Sequence, residues 1–191
     1  PPIHMCDALA RNIPKGLQTI LANCLTHGRR NFVDILDNFP DECRHVIEQL
    51  AIVYKNDDIA KEQGLSAQER LVWHQQESKP VMSELKSWAW AQLEEKKAEP
   101  NSGLGKALAY MQKHWDPLTL FLRQPGAPLD NNICERALKK AIQHRKNSLF
   151  YRTLHGARIG DLFMSLIHTC QLNKVNSFDY LTQLQKNIKE A

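Results

Sequence analysis

The sequence predicts an α/β fold dominated by helix, and three observations carry that reading. Two short apolar runs with strand character, residues 2–6 and 19–25, lie close together near the N-terminus. From Asp41 onward, apolar residues recur with a period near 3.6. Helix punctuation follows the same period: capping boxes pair Ser66 with Glu69 and Asn132 with Glu135, and Pro80 sits where a first helical turn tolerates proline.

Taken in order, residues 2–6 read as a strand that ends at Asp7, and residues 19–25 (TILANCL) as a second. His27, Gly28, Arg29 and Arg30 then lead into Phe32, Val33, Leu36 and Phe39 at helical spacing. Val46, Ile47, Leu50, Val53 and Tyr54 form the first long stripe, which Gly64 ends. Ser66 opens the next helix. Ser78, Lys79 and Pro80 interrupt and restart it, and Met82, Leu85, Trp88 and Leu93 carry the new stripe. After a break at 99–103, residues 104–115 and 118–122 are helical, before Pro125-Gly126-Ala127-Pro128. Asn132 opens a helix to about His144. Residues 148–151 are a short candidate extended run, and residues 157–172 and 178–189 are the last helices, parted by Asn173 and Asn176.

With 191 residues, 42% hydrophobic and 24% charged, the chain suits one ordinary domain or a domain with an insertion, and composition excludes disordered and collagen-like classes. No apolar run reaches the roughly 18 residues that span a bilayer. The first residues show no signal peptide, and a start at Pro1 leads us to expect that upstream sequence has been removed. Five widely spaced cysteines argue for a reducing cytoplasm rather than a disulfide framework. Cys24 and His27 have zinc-like spacing but no matching second pair. Residues 41–99 carry 12 acids against 8 bases, whereas residues 130–160 carry 7 bases against 2 acids. A basic segment therefore follows an acidic middle. It reads either as a solvated helix face or as a surface for phosphate backbones.

Two carboxylates stand out. Asp7 follows a strand, where α/β folds place active-site acids, although turns and helix caps use aspartate as well. Glu135 lies in the first turn of the basic helix, either as the return member of a capping box or as a metal ligand, with Lys139 one turn further on. The string at 101–106 (NSGLGK) lacks the spacing of a phosphate loop. Trp73, Trp88, Trp90 and Trp115 sit at helical spacing and read as helix-packing core, with stacking on a displaced base as the alternative.

Residues 125–151, PGAPLDNNICERALKKAIQHRKNSLFY, resemble the transposases of bacterial insertion sequences of the sixty-six family. The string Asp-Asn-Asn, Glu-Arg, Arg-Lys-Asn and Phe is the signature, and Cys24-Leu-Thr-His27-Gly-Arg-Arg30, Gly103-Leu-Gly-Lys-Ala107, Tyr110 and His114-Trp115 support it. The resemblance implies a partial ribonuclease-H-like core, 1–39 and 119–191, interrupted by an all-helical insertion over 40–118. It also implies DDE chemistry, in which three carboxylates hold two Mg2+ (or Mn2+) ions. Asp7 matches the second carboxylate and Glu135 the third, and the two are expected to converge. The first is expected upstream, so these residues alone are expected to be inactive. Arg29, Arg30, Arg136, Lys139, Lys140, Arg145 and Lys146 are the implied DNA-backbone contacts.

The resulting expectation is the C-terminal part of a bacterial DDE transposase that cleaves and joins DNA at insertion-sequence ends. It would act in the nucleoid as a homo-oligomer on terminal-repeat and target DNA, with no membrane association. The alternatives are a non-catalytic DNA-binding or assembly remnant and a helical interaction domain with no nucleic-acid role.

Overall fold

The computed structural model describes residues 1–9, 12–14, 16–147 and 152–187, and gives the backbone alone for Lys140, Ala141, His144, Arg145 and Asn147. The apolar run at 148–151 lies outside the described residues. The chain divides into two compact units, Pro1–Asn131 and Asn132–Ala191.

The first unit begins with β1 (Ile3–Cys6) and β2 (Ile20–Asn23), paired in parallel with Ile3 opposite Ile20 and Cys6 opposite Asn23. The second strand stops earlier than its apolar run suggested. Cys24 is the N-cap of α1 (Leu25–Val33), and Leu25 is already helical. Leu36 and Phe39 keep helical spacing but lie past the end of α1, in the turns before α2 (Pro40–Glu62).

Helix α2 presents Cys43, Val46, Leu50, Val53, Asp57 and Ala60 inward, while Ile47 and Tyr54 flank the stripe half-buried. Pro40 in its first turn needs no N–H partner, and Asp41 and Glu42 face the positive end of the helix dipole. It ends in a Schellman motif. Gly64, at φ +65°, donates to the Lys61 carbonyl (3.0 Å), and Leu65 donates to that of Ala60 (3.1 Å).

Ser66 and Glu69 form the expected capping box at the head of α3 (Ala67–Trp73). The expected interruption before Pro80 takes a different form. The chain passes from α3 through a π-helical turn (His74–Ser78) directly into α4 (Lys79–Glu94). Pro80 has no N–H to close the usual turn behind it, and the wider turn absorbs that loss.

Helix α5 (Gly103–Lys113) ends before His114. The expected single helix to Trp115 is split, and a short α6 (Trp115–Leu118) and a 3-10 turn (Leu120–Leu122) follow. Gly105 is required sterically, because a Cβ there would collide with the Glu99 carbonyl oxygen and with Pro100. The glycines of the string at 101–106 thus serve close packing, Gly105 against the preceding loop and Gly103 against Ile35, with Ser102 as N-cap accepting from the Gly105 N–H (3.0 Å). The tryptophans are structural, as expected. Trp90 and Trp115 meet edge to face at 5.3 Å, and Trp73 donates to the Asn56 carbonyl. One apolar cluster joins Leu25 and Phe32 of α1 to Val46, Leu50, Met82, Leu85, Leu108 and Phe121.

The second unit holds α7 (Asn132–Asn147), α8 (Leu154–Leu172) and α9 (Ser177–Lys186). Asn132 is the first helical residue of α7, which runs past His144. Helix α8 also ends in a Schellman motif, but here a lysine, Lys174, takes the left-handed position at φ +56°. Asn176 caps α9, accepting from the N–H groups of Phe178 and Asp179. All five cysteines are free, and no described helix is long and apolar enough to cross a membrane.

Candidate functional site

Two parallel strands that end in register bring the residues just beyond them side by side, so Asp7 and Cys24 emerge at one edge of the first unit. Asp7 Oδ1 accepts from the Asn12 side-chain amide (2.7 Å) and from the Leu9 N–H (3.3 Å). Neither bond uses Oδ2. Ala8 holds φ +65°, which turns the chain away and leaves the carboxylate at the strand end. Burial raises the proton affinity of Asp7. The Asn12 amide, the Leu9 N–H and nearby His27 outweigh that effect, so the carboxyl sits below its ordinary range. Asp7 is therefore both a turn residue and an ionised acid at a strand end, and the two sequence readings are compatible.

Behind it, Asn23 is 1% exposed and ties the strands to the helices. Its Oδ1 accepts from the Cys6 thiol (3.7 Å), and its amide meets His114 Nδ1 (3.3 Å). An amide donor there makes Nδ1 the acceptor and places the ring proton on Nε2. Burial, and then Lys113, lower the His114 pKa. The Tyr110 ring lies 4.7 Å from His114, and its buried hydroxyl has no hydrogen-bond partner among the described residues. Burial raises the Tyr110 pKa, and Cys24, Asp7 and Cys6 add to the effect. Sequence reasoning did not single out Asn12 or Asn23. The one available signal was a polar residue, Asn23, inside an apolar run.

Of the basic candidates in this unit, Arg29 is half-buried and Arg30 exposed, both on α1. One turn before Arg30, Thr26 donates to Asp130 Oδ2 (3.4 Å), which leaves the Tyr54 hydroxyl as donor to Thr26 Oγ1 (2.7 Å). Burial pushes the Tyr54 phenol well above its ordinary value, so it stays protonated.

In the second unit, Glu135, Lys139 and Lys146 follow one stripe of α7 at spacings of four and seven residues. Glu135 is half-buried, whereas Lys139, Lys146 and Arg136 are exposed. Arg136 Nε donates to the Asn132 carbonyl of its own helix (3.3 Å). The side chains of Lys140 and Arg145 lie outside the described residues.

A Ser–His–Asp chain also occurs in the first unit, and the sequence did not reveal it. Ser78 Oγ meets His74 Nδ1 at 2.9 Å, and His74 Nε2 meets Asp57 Oδ1 at 3.1 Å. All three residues are at most 2% exposed, so no substrate reaches the serine. The cluster is a clamp between helices, since Asp57 also receives Lys61 (2.7 Å) and Arg70. Burial opposes ionisation of Asp57, but the His74 bond and the two cations hold its pKa far below the carboxylate range.

The profile of a family described as "Transposase IS66 family" matches residues 4–159. An uncharacterized protein of Sinorhizobium fredii, y4jD, is 35% identical over 173 residues, covering 88% of this chain and 32% of that protein. A second from the same organism, y4hP, is 29% identical over 96% of this chain and 35% of its own length. The chain thus spans about a third of the relatives it matches. No solved structure matches.

Proposed function

The chain belongs to the IS66 transposase family, and from that premise we propose that it forms part of a DNA transposase of the DDE type. The observation that carries this reading is Asp7, an ionised carboxylate at the end of a parallel strand within the matched region, with one oxygen outside its local hydrogen bonds. A hard oxygen donor of this kind suits Mg2+ or Mn2+. In this reading Asp7 and Glu135 are two of the metal-holding carboxylates. Bound metal supplies the activated oxygen nucleophile and stabilises the leaving oxygen of a phosphodiester.

The residues of the chain then have separate tasks. Asn12 and the Leu9 N–H hold Asp7 Oδ1, which leaves Oδ2 to a metal ion. Asn23 and His114 brace the strand end beneath it. Arg29 and Arg30 on α1, with Arg136, Lys139, Lys140, Arg145 and Lys146 on α7, hold backbone phosphates by charge, a role that positions DNA without reading its sequence. The ribonuclease-H-like core and assembly as a homo-oligomer on DNA belong to the same proposal.

Two measurements test it. Mn2+ titration followed by electron paramagnetic resonance should show binding that Asp7→Asn weakens at least tenfold. DNA affinity should fall steeply with salt, and Lys139→Glu with Lys140→Glu should weaken it about equally for all sequences. Salt-dependent DNA binding without Mn2+ binding would favour the second reading, a non-catalytic DNA-binding or assembly module. The basic stripe of α7 is the observation behind that alternative.

A further inference from the structure

Helices α1 and α2 line a groove of about 610 Å3 on the first unit. That volume lies within the range of small-ligand sites. Two stripes of α2 build one wall, Ala51–Lys55–Ile59 and Tyr54–Asp58–Glu62, each spaced by four residues. Helix α1 contributes Thr26 and Arg29, one turn apart.

Charge is ordered along this groove. Arg29 and Lys55 stand toward the end where Tyr54 bonds Thr26, and there they outnumber the one carboxylate, Asp130, that accepts from Thr26, whereas Asp58 and Glu62 stand one and two turns further along α2. Among the described residues neither Arg29 nor Lys55 has an ion-pair partner, although two carboxylates line the same groove. Asp58 instead pairs with Lys61 at 3.5 Å. A pair of uncommitted cations favours an anion. The acids beyond them exclude a continuous phosphate track, since the next phosphate of a backbone would meet Asp58 and Glu62. The groove therefore fits one phosphate, followed by a neutral group that donates hydrogen bonds. The half-buried Tyr54 ring beside Lys55 and Ile59 beside Asp58 offer apolar surface for a flat ring, and Ala51 lines the groove one turn before Lys55.

The geometry points to a binding site for one unpaired nucleotide of DNA, with its phosphate between Arg29 and Lys55 and its base directed toward Asp58 and Glu62. This inference rests on the DNA reading above and adds to it a substrate feature, a strand end or unpaired base. Adenine, cytosine and guanine each carry an exocyclic amine that a carboxylate accepts, and thymine has none. The site should therefore discriminate against thymine.

The test uses fluorescence anisotropy on the full chain, with short duplexes that are blunt or carry a single-nucleotide overhang at either end. An adenine, cytosine or guanine overhang at one of the ends should bind about tenfold tighter than the blunt duplex, the effect of one stacked base, and a thymine overhang should gain less. Ala51→Trp fills the groove from an exposed position on α2 and should remove the overhang increment while leaving blunt-duplex affinity unchanged. Asp58→Asn with Glu62→Gln should erase the difference between thymine and the other bases. Equal affinity for blunt and overhang duplexes in the wild type, or an increment that survives Ala51→Trp, overturns the nucleotide site and leaves the DNA reading standing. Absence of binding to every duplex overturns the DNA reading, and this site with it.

Discussion

The units Pro1–Asn131 and Asn132–Ala191 are written in the same helical periodicity but bury it very differently. In the first, Phe32, Val46, Leu50, Val53, Leu85 and Leu108 have no measurable exposure. In the second, Cys170 alone is buried among the described residues, while Ile133, Leu154, Leu162 and Phe178 are 59–81% exposed. A hydrophobic stripe specifies which face of a helix is apolar. It does not specify whether another surface covers that face. The first unit has five helices of seven residues or more and a strand pair whose stripes meet, whereas α7–α9 carry stripes that their own unit leaves open.

The comparison can be broken most directly by core deletions. Phe32→Ala should lower unfolding free energy by about 3–5 kcal/mol, as a filled core site becomes a cavity. Phe163→Ala on α8, where the side chain is 43% exposed, should cost less than about 1 kcal/mol. Urea unfolding of the two variants measures both, and equal losses would show that the second unit is covered as tightly as the first.

The next largest effect concerns the buried clamp in the first unit. Asp57→Asn strips the countercharge from Arg70 and Lys61 and should cost about 3 kcal/mol at neutral pH. The sign with pH follows from a folded-state pKa held below its unfolded value. The stabilisation is fully present above the unfolded carboxylate pKa, about 4, and is lost as pH falls from there toward the folded value. Urea midpoints of the wild type should therefore fall toward those of Asp57→Asn on acidification. A constant gap between them below pH 4 would contradict this.

The smallest effect compares two helix ends built the same way. Gly64 closes α2 in the first unit, but in the second Lys174 closes α8 from the left-handed region, where a side chain is strained. Lys174→Gly should therefore stabilise the end of α8 by about 0.5–1 kcal/mol, read as slower amide exchange at Lys174 and Val175. Faster exchange would show that the Lys174 side chain contributes more than the strain it carries.

For the candidate site, the sequence reveals Asp7 because an acid after a short apolar run is visible without a structure. It also reveals the charged stripe of α7, because period and charge are local. Asn12 and Asn23 escape notice. The importance of Asn12 is a bond made across a turn, and that of Asn23 is its reach to His114, 91 residues away. The groove is hidden for the same reason, since Thr26 and Tyr54 are 28 residues apart and meet only when α1 lies against α2.

Local chemistry therefore determined the two strands, the capped start at Ser66 and the glycine stop at Gly64. Each depends on neighbours within a few residues, and side-chain spacing or backbone preference is enough to read it. Tertiary structure decided the rest. The strand after Thr19 yields to a helix at Leu25 because the parallel pair ends at Asn23. The helix through Pro80 continues by widening one turn, because Asp57, His74 and Ser78 join its wall to α2. The string at 101–106 needs Gly105 because the carbonyl of Glu99 lies against it. These outcomes depend on what another segment places within a few ångströms, and no pattern along one stretch of chain carries that information.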